Sequence, residues 1–285
     1  MRPHPWYIRL TIHLVLIALA FPFCLPLLYM VSTSLKVEEQ VLATDAGESL
    51  ASFMKHLWPR PFHPANYAEA MQFLPFPLYV RNTLLLCVLN VFGAVVSSAI
   101  AAYAFAKLEW RGRKVVFGIV IATMILPGQV RMIPVFALYR WLGWYGTYLP
   151  LIVPAFLGNP FFIFLLRQFF RTIPDELCDS ARVDGCSEWR ILWRVIMPLS
   201  RPALATCALF QFLGTWNDFN GPLLYLNDSA QYTLALGLQQ FVGQYDSMWA
   251  ELMAAATVFT VPIIILFFLA QRTFIQGIAT TGTKG

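Results

Sequence analysis

Six apolar runs, at about residues 10–34, 82–106, 115–133, 149–170, 203–226 and 252–274, hold only four charged side chains between them: Arg131, Arg167, Asp218 and Arg272. The hydrocarbon core of a bilayer takes roughly 20 mostly apolar helical residues to cross. Inside it the backbone must satisfy its own polar groups, which leaves helices or closed barrels. Runs of this length predict six transmembrane helices. Composition agrees, with 58% hydrophobic and 12% charged residues against about 25% charged in a soluble domain. So little charge cannot cover a surface that faces water.

Several runs carry their own interruptions. Pro22 and Pro26 lie in the first, Pro127-Gly128 in the third, and Pro154 with Gly158-Asn159-Pro160 in the fourth. Each proline removes a backbone donor and kinks its helix. Such kinks persist in a membrane where neighbouring groups or water satisfy the freed carbonyls. The centre of the second run, Gly93 to Ala99, is built of small residues, which lets another segment approach closely. Asn82 stands at the start of that run, where it would cap the helix. The first run is longer than a secretory signal core and no small-residue cleavage site follows it, so an uncleaved first span is expected.

Lys and Arg collect on the cytoplasmic side of membrane proteins. With the N-terminus inside, 14 of the 20 fall in inside segments and 6 in outside ones. Both termini and the segment 171–202 are therefore expected in the cytoplasm. The net charge of +5 forms no basic stripe with interleaved aromatics, so nucleic acid is not expected as a partner. The five cysteines have no metal-ligand spacing, the four histidines are scattered, and no catalytic constellation is visible. A stand-alone secondary transporter would need ion-coupling charges at mid-membrane and internal repeats. The chain offers one acid there, Asp218, and no repeat.

The segment Pro174–Pro202 breaks the apolar pattern. It holds five of the fifteen acids and four arginines. Pro174 suits a first helical turn, and Asp175 and Glu176 complement the positive end of a helix dipole. The helix should run to about Asp184 and stop at Gly185, which takes the left-handed cap conformation freely. Ser180 and Ala181 are small and permit close approach. Ser187 can cap a second helix, in which Trp189, Leu192, Trp193 and Ile196 fall on one face and Pro198 ends the turn.

This pattern resembles the cytoplasmic loop of bacterial ABC-importer permeases. That motif reads Glu-Ala-Ala, three residues, Gly, nine residues, then Ile-x-Leu-Pro. Here the same spacing is filled by Asp179-Ser180-Ala181, Gly185 and Val195-Ile196-Met197-Pro198. The chain departs from the motif at Asp179 and Ser180. The likeness extends over all six spans and is closest to the second permease subunit of maltose- or glycerol-3-phosphate-type carbohydrate importers.

The resemblance implies an all-α type I ABC-importer transmembrane domain over residues 1–285, in the bacterial inner membrane. It implies a coupling loop (171–202) that docks on a cytoplasmic ATPase dimer through Asp179, Ser180, Ala181, Asp184, Gly185 and Pro198. It further implies a second permease, an extracytoplasmic substrate-binding protein, and movement of a sugar or sugar derivative by alternating access. The chain itself would be no enzyme and hold no cofactor, with ATP and Mg on the ATPase. It has no GxxxxGK[ST] phosphate loop.

Trp216, Asn217, Asp218 and Asn220 are candidates for the translocation path, since an intramembrane acid marks a functional site and Trp216 could stack on a sugar ring. The same polar groups could instead bond between helices. Arg131 is either interfacial or lines an outer vestibule. The tail Thr280–Gly285 resembles permease tails that reach the ATPase interface, and fraying would account for it equally.

Overall fold

The computed structural model describes residues 5–43, 57–243 and 248–282. Arg2, residues 44–56 of the polar stretch after the first run, and tail residues 283–285 lie outside them. Every regular element among the described residues is helical. Helix α1 (Trp6–Thr33) is followed by the short helices Glu38–Leu42 and Asn66–Phe73, then α2 (Phe76–Lys107). After α3 (Arg113–Ala122) and a 3₁₀ turn comes α4 (Gly128–Trp141). Leu149–Ile152 and a 3₁₀ stretch, Val153–Leu157, lead into α5 (Pro160–Phe170). The charged segment forms α6 (Glu176–Val183) and α7 (Glu188–Ile191). A π turn (Leu192–Ile196) and Met197–Leu199 join α7 to α8 (Arg201–Trp216). Asn220–Tyr225 and Leu234–Leu238 precede the last helix, α9 (Trp249–Gly282).

Four stretches are long and apolar enough to cross a membrane: Tyr7–Thr33, α2, Leu149–Phe170 and Trp249–Leu269. Two bent pairs raise the number to six if each is one span. One pair bends the run expected at 115–133 far more sharply than a proline kink and carries it on to Trp141. The chain turns by 101° between Arg113–Ile125 and Gly128–Trp141, because Pro127 stops one helix and serves as the N-cap of the next. The second pair turns by 83° between Glu188–Leu199 and Arg201–Trp216.

The chain divides into two compact units, one of residues 1–76 and 237–262, the other of 77–236 and 263–285. In the first unit, the apolar stretch of α1 has no residue buried within the chain, as a lipid-facing helix should. Beyond it, buried Asn66 donates to the carbonyls of Ser34 (3.0 Å) and Lys36 (2.7 Å). Glu38 accepts from the amides of Trp249 (3.1 Å) and Ala250 (2.9 Å), so its carboxylate caps the positive end of α9.

The second unit has its core where α2, α5, the π turn and α8 meet. Ala94, Ala102, Phe162, Leu166, Ile191, Ile196 and Cys207 are buried there. The small residues of α2 serve the close approach their sequence suggested. A Cβ on Gly93 would stand 2.7 Å from the Phe156 ring. Ser97 donates to the Ala155 carbonyl (3.1 Å), and Ser98 accepts from the Asn159 amide (2.9 Å). The broken stretch Val153–Asn159 thus has backbone groups satisfied by side chains of α2.

Asn82 is not a cap. The helix begins six residues earlier, at Phe76, and the Asn82 amide donates to the carbonyls of Ala230 (2.9 Å) and Tyr232 (3.0 Å). Its neighbour Thr83 accepts from the Leu234 amide (2.9 Å). These two side chains tie the polar stretch after Asn227 to α2. Replacing buried Asn82 by Leu removes both bonds, each worth about 1 kcal/mol. Thermal unfolding in detergent should show Asn82→Leu clearly less stable than Asn217→Leu, a substitution at an exposed position.

Candidate functional site

The loop between α5 and α8 is held by a chain of charge-assisted bonds. At its entrance Lys107, the last residue of α2, donates to the Ile173 carbonyl (2.6 Å) and to Asp175 Oδ1 (2.5 Å). The lysine side chain is 2% exposed and the aspartate 78%. Asp175 occupies the N-cap position of α6, and the Lys107 ammonium holds its carboxyl below the usual carboxylate range.

At the other end of α6, Arg182 Nε donates to Glu188 Oε1 (2.8 Å) and its Nη1 to Asp179 Oδ1 (2.7 Å). The Tyr103 hydroxyl donates to Glu188 Oε2 (2.5 Å). The Arg182 guanidinium, with help from that hydroxyl, depresses the Glu188 pKa. Arg182 is raised in turn, chiefly by its bond to Glu188.

Helix α6 ends in a complete Schellman motif. The Cys186 amide reaches the Ala181 carbonyl (2.9 Å) and the Gly185 amide the Arg182 carbonyl (2.9 Å), with Gly185 at φ 78°. This is the C-terminal geometry that glycine makes possible, and it ends α6 where the sequence indicated. Asp179, Ser180, Asp184, Gly185 and Pro198 are all exposed, and Ala181 is half-buried. Leu177 and Val183 are exposed beside them, so the outer face of α6 mixes acid, small and apolar side chains.

The second helix differs from its sequence reading. Ser187 stands at the N-cap of α7, but its side chain makes no capping bond. The buried side chains are Ile191, Leu192 and Ile196, while Trp189 and Trp193 are exposed. The two tryptophans thus lie to one side of the stripe that the chain itself buries. A π turn follows α7, its Met197 amide bonding five residues back to Leu192.

A second feature lies in the same unit: a cavity of about 690 Å³ lined by residues of α2, α4, α8 and the broken stretch 150–161. Its polar lining includes Asn90, Arg131, Tyr139, Gln211, Thr215 and Asp218. The volume falls within the range of small-ligand sites, about 300–1,000 Å³. Arg131 therefore lines a cavity. Asp218 Oδ1 accepts from the Gly221 amide (3.0 Å). A Cβ on Gly221 would lie 2.4 Å from Asp218 Oδ2, so glycine is what lets the carboxylate seat.

Asn220 lines an adjoining cavity of about 680 Å³ that shares Arg131 and Tyr139. Asn217 donates to the Leu213 carbonyl (2.8 Å). Trp216 is buried, its ring 5.4 Å from Phe212 and nearly parallel to it. The sequence reading missed Asn90, Gln211 and Thr215. Polar residues in apolar helices were the available signal, but which of them share a cavity depends on helix packing.

Residues 83–280 match the family described as binding-protein-dependent transport system inner membrane component. The probable ABC transporter permease protein YurM of Bacillus subtilis is 32% identical over 98% of this chain and 90% of that protein. The arabinooligosaccharides transport system permease protein AraQ of Halalkalibacterium halodurans is 35% identical over 72% of this chain and 73% of its own length. Among solved structures, a chain of a bacterial ABC transporter involved in the import of the acidic polysaccharide alginate superposes with a TM-score of 0.79. It is 25% identical, with 95% of this chain and 98% of that one covered.

Two measurements test the loop geometry. A Cβ at Gly185 meets open space, so only the left-handed backbone opposes substitution. Gly185→Ala should destabilise α6 by about 1–2 kcal/mol, whereas Gly185→Asn should be close to neutral; amide hydrogen exchange across 176–186 reads both. The carboxyls of Asp175 and Glu188 are depressed when folded. Their contribution is therefore complete above the unfolded carboxylate range and lost as pH falls through the folded values. Exchange of the loop amides, corrected for intrinsic rate, should accelerate below about pH 4, and Glu188→Gln should flatten that dependence.

Proposed function

Because this chain belongs to the family of binding-protein-dependent transport system inner membrane components, we propose that it is a membrane-spanning permease subunit of an ATP-driven importer of a sugar or sugar derivative. Its relatives include permeases named for arabinooligosaccharides and for alpha-glucosides, which supports a carbohydrate cargo. In this reading the bent pair Arg113–Ile125 and Gly128–Trp141 is one span, and in the second pair only the helix from Arg201 crosses the membrane, with Glu188–Leu199 belonging to the loop. The chain is then one transmembrane domain of six spans, with both termini and the 171–202 loop in the cytoplasm. That orientation rests on the excess of Lys and Arg in the segments it places inside.

The observation that carries the proposal is helix α6. It is short, capped at Gly185, tied to α2 and α7 through Lys107 and Arg182, and exposed along the face that holds Asp179, Ser180, Asp184 and Gly185. A rigid small-residue helix on a polar segment between apolar helices is suited to docking in a groove. The partner is one subunit of a cytoplasmic ATPase dimer. A second permease completes the pathway, and an extracytoplasmic binding protein delivers the cargo. ATP and Mg belong to the ATPase, and this chain performs no catalysis. Closure of the ATPase dimer on ATP favours one of two transmembrane arrangements, and hydrolysis restores the other. The drive is the difference in ATPase affinity for the two.

The cavity lined by Asn90, Gln211, Thr215 and Asp218 is this subunit's share of the pathway. Its amide, hydroxyl and carboxylate groups match the hydroxyls of a sugar. Asn217 and Asn220 flank it, and buried Trp216 supports the helix that carries it. Ala181→Glu or Gly185→Glu should leave membrane insertion intact and remove the ATPase from the purified complex. Normal ATPase recovery with both variants overturns the docking assignment.

A further inference from the structure

Helix α2 joins the two halves of the site. Tyr103 and Lys107 stand four residues apart near its C-terminus, on one helical face. Lys107 holds the start of α6 through Asp175 and the Ile173 carbonyl. Tyr103 holds the other end through Glu188, which accepts from Arg182 in the last turn of α6. Both anchors are buried: Tyr103 is 4% exposed and the Lys107 side chain 2%.

Further up the same helix, Leu86, Asn90 and Ala94 line the cavity at four-residue intervals. Asn90 and Tyr103 stand thirteen positions apart on unbroken helix, about 20 Å at 1.5 Å per residue. Between them, Ser97 and Ser98 hold Ala155 and Asn159 of the broken stretch, which lines the cavity from another side. A rotation of α2 would therefore move two walls of the cavity at once.

We propose that α2 is the lever between docking helix and cavity, and that Tyr103 and Lys107 are the positioning residues that clamp α6 to it. The inference rests on the docking reading above and specifies how force applied at α6 reaches the transport path. Two anchors matter because a single one would let α6 pivot when its partner moves. With both ends held, displacement of α6 turns α2.

The test uses the assembled transporter, with second permease and ATPase, in lipid nanodiscs. Labelling of Arg131→Cys by N-ethylmaleimide, read by mass spectrometry, reports access to the cavity. ATP with vanadate should change the labelling rate about tenfold when the clamp is intact, within the usual range of inter-site coupling. Tyr103→Phe with Lys107→Met should reduce that change to about twofold or less, with the ATPase still in the complex. Lys107→Arg, which keeps a donor at both acceptors, should restore most of it. An undiminished response in an intact complex of the double variant overturns the proposal.

If the double variant does not assemble, Tyr103→Phe alone decides, since it removes one hydroxyl and adds nothing. A full response from that variant likewise overturns the clamp. Amide exchange across 176–183 separates this from the docking assignment. Clamp variants should speed exchange there in the permease before any ATPase is added, and unchanged exchange overturns the clamp. Retention of the ATPase by both Ala181→Glu and Gly185→Glu overturns docking alone.

Discussion

A backbone amide or carbonyl left bare in hydrocarbon costs several kcal/mol, and this chain interrupts its apolar segments at Leu126-Pro127 and across Val153–Asn159. The second break is repaired by serines of α2 that reach the Ala155 carbonyl and the Asn159 amide. Asn159 then caps α5 by accepting from the Phe161 amide at 3.0 Å. The C-terminal carbonyls of α2 are treated the same way, with Trp110 donating to Ala104 and Arg167 to Phe105. Arg167 also lies 4.1 Å over the Phe117 ring, which gives its charge a second favourable contact. Irregular backbone of this kind is tolerated at membrane depth where it lines a cavity or packs on protein. Pro154, Ala155, Gly158 and Asn159 of the break line the roughly 690 Å³ cavity.

The polar segment obeys a different rule. Outside the membrane an exposed ion pair contributes little, so a mesh of surface charges would not by itself fix a helix. What fixes α6 is that one partner at each end is buried: Lys107 at its start, and Tyr103 behind Glu188 at its end. The exposed members, Asp175 and Asp179, are then held against groups that cannot easily move. Gly185 closes the helix by backbone geometry alone, independent of charge.

Much of this was legible in the chain. The apolar runs indicated helices, and Gly185 indicated the end of α6, because the left-handed cap is a local property of one residue. The small residues at Gly93–Ala99 foretold a close approach, though not that Phe156 and Asn159 would make it. Of the stripe Trp189, Leu192, Trp193 and Ile196, only Leu192 and Ile196 are buried within the chain, and Ile191 joins them from outside it; which part of an apolar face the chain itself covers depends on packing, not on local period. Asn82 looked like a cap because the apolar run starts there. The helix starts earlier, and its partners are about 150 residues away.

The sequence alone determined that the chain is helical, membrane-spanning and punctuated at defined points. Those features depend on hydrophobic length, proline chemistry and glycine dihedrals, all of which act over a turn or two. Tertiary structure decided which polar residues share a cavity and which buried side chains grip α6. Asn90, Arg131 and Asp218 are brought together only when α2, α4 and the segment after α8 pack. Tyr103 and Glu188, 85 positions apart, meet only once the loop folds back on α2. Hydrogen bonds between distant residues carry no periodic signature, so the polar connections had to wait for the fold.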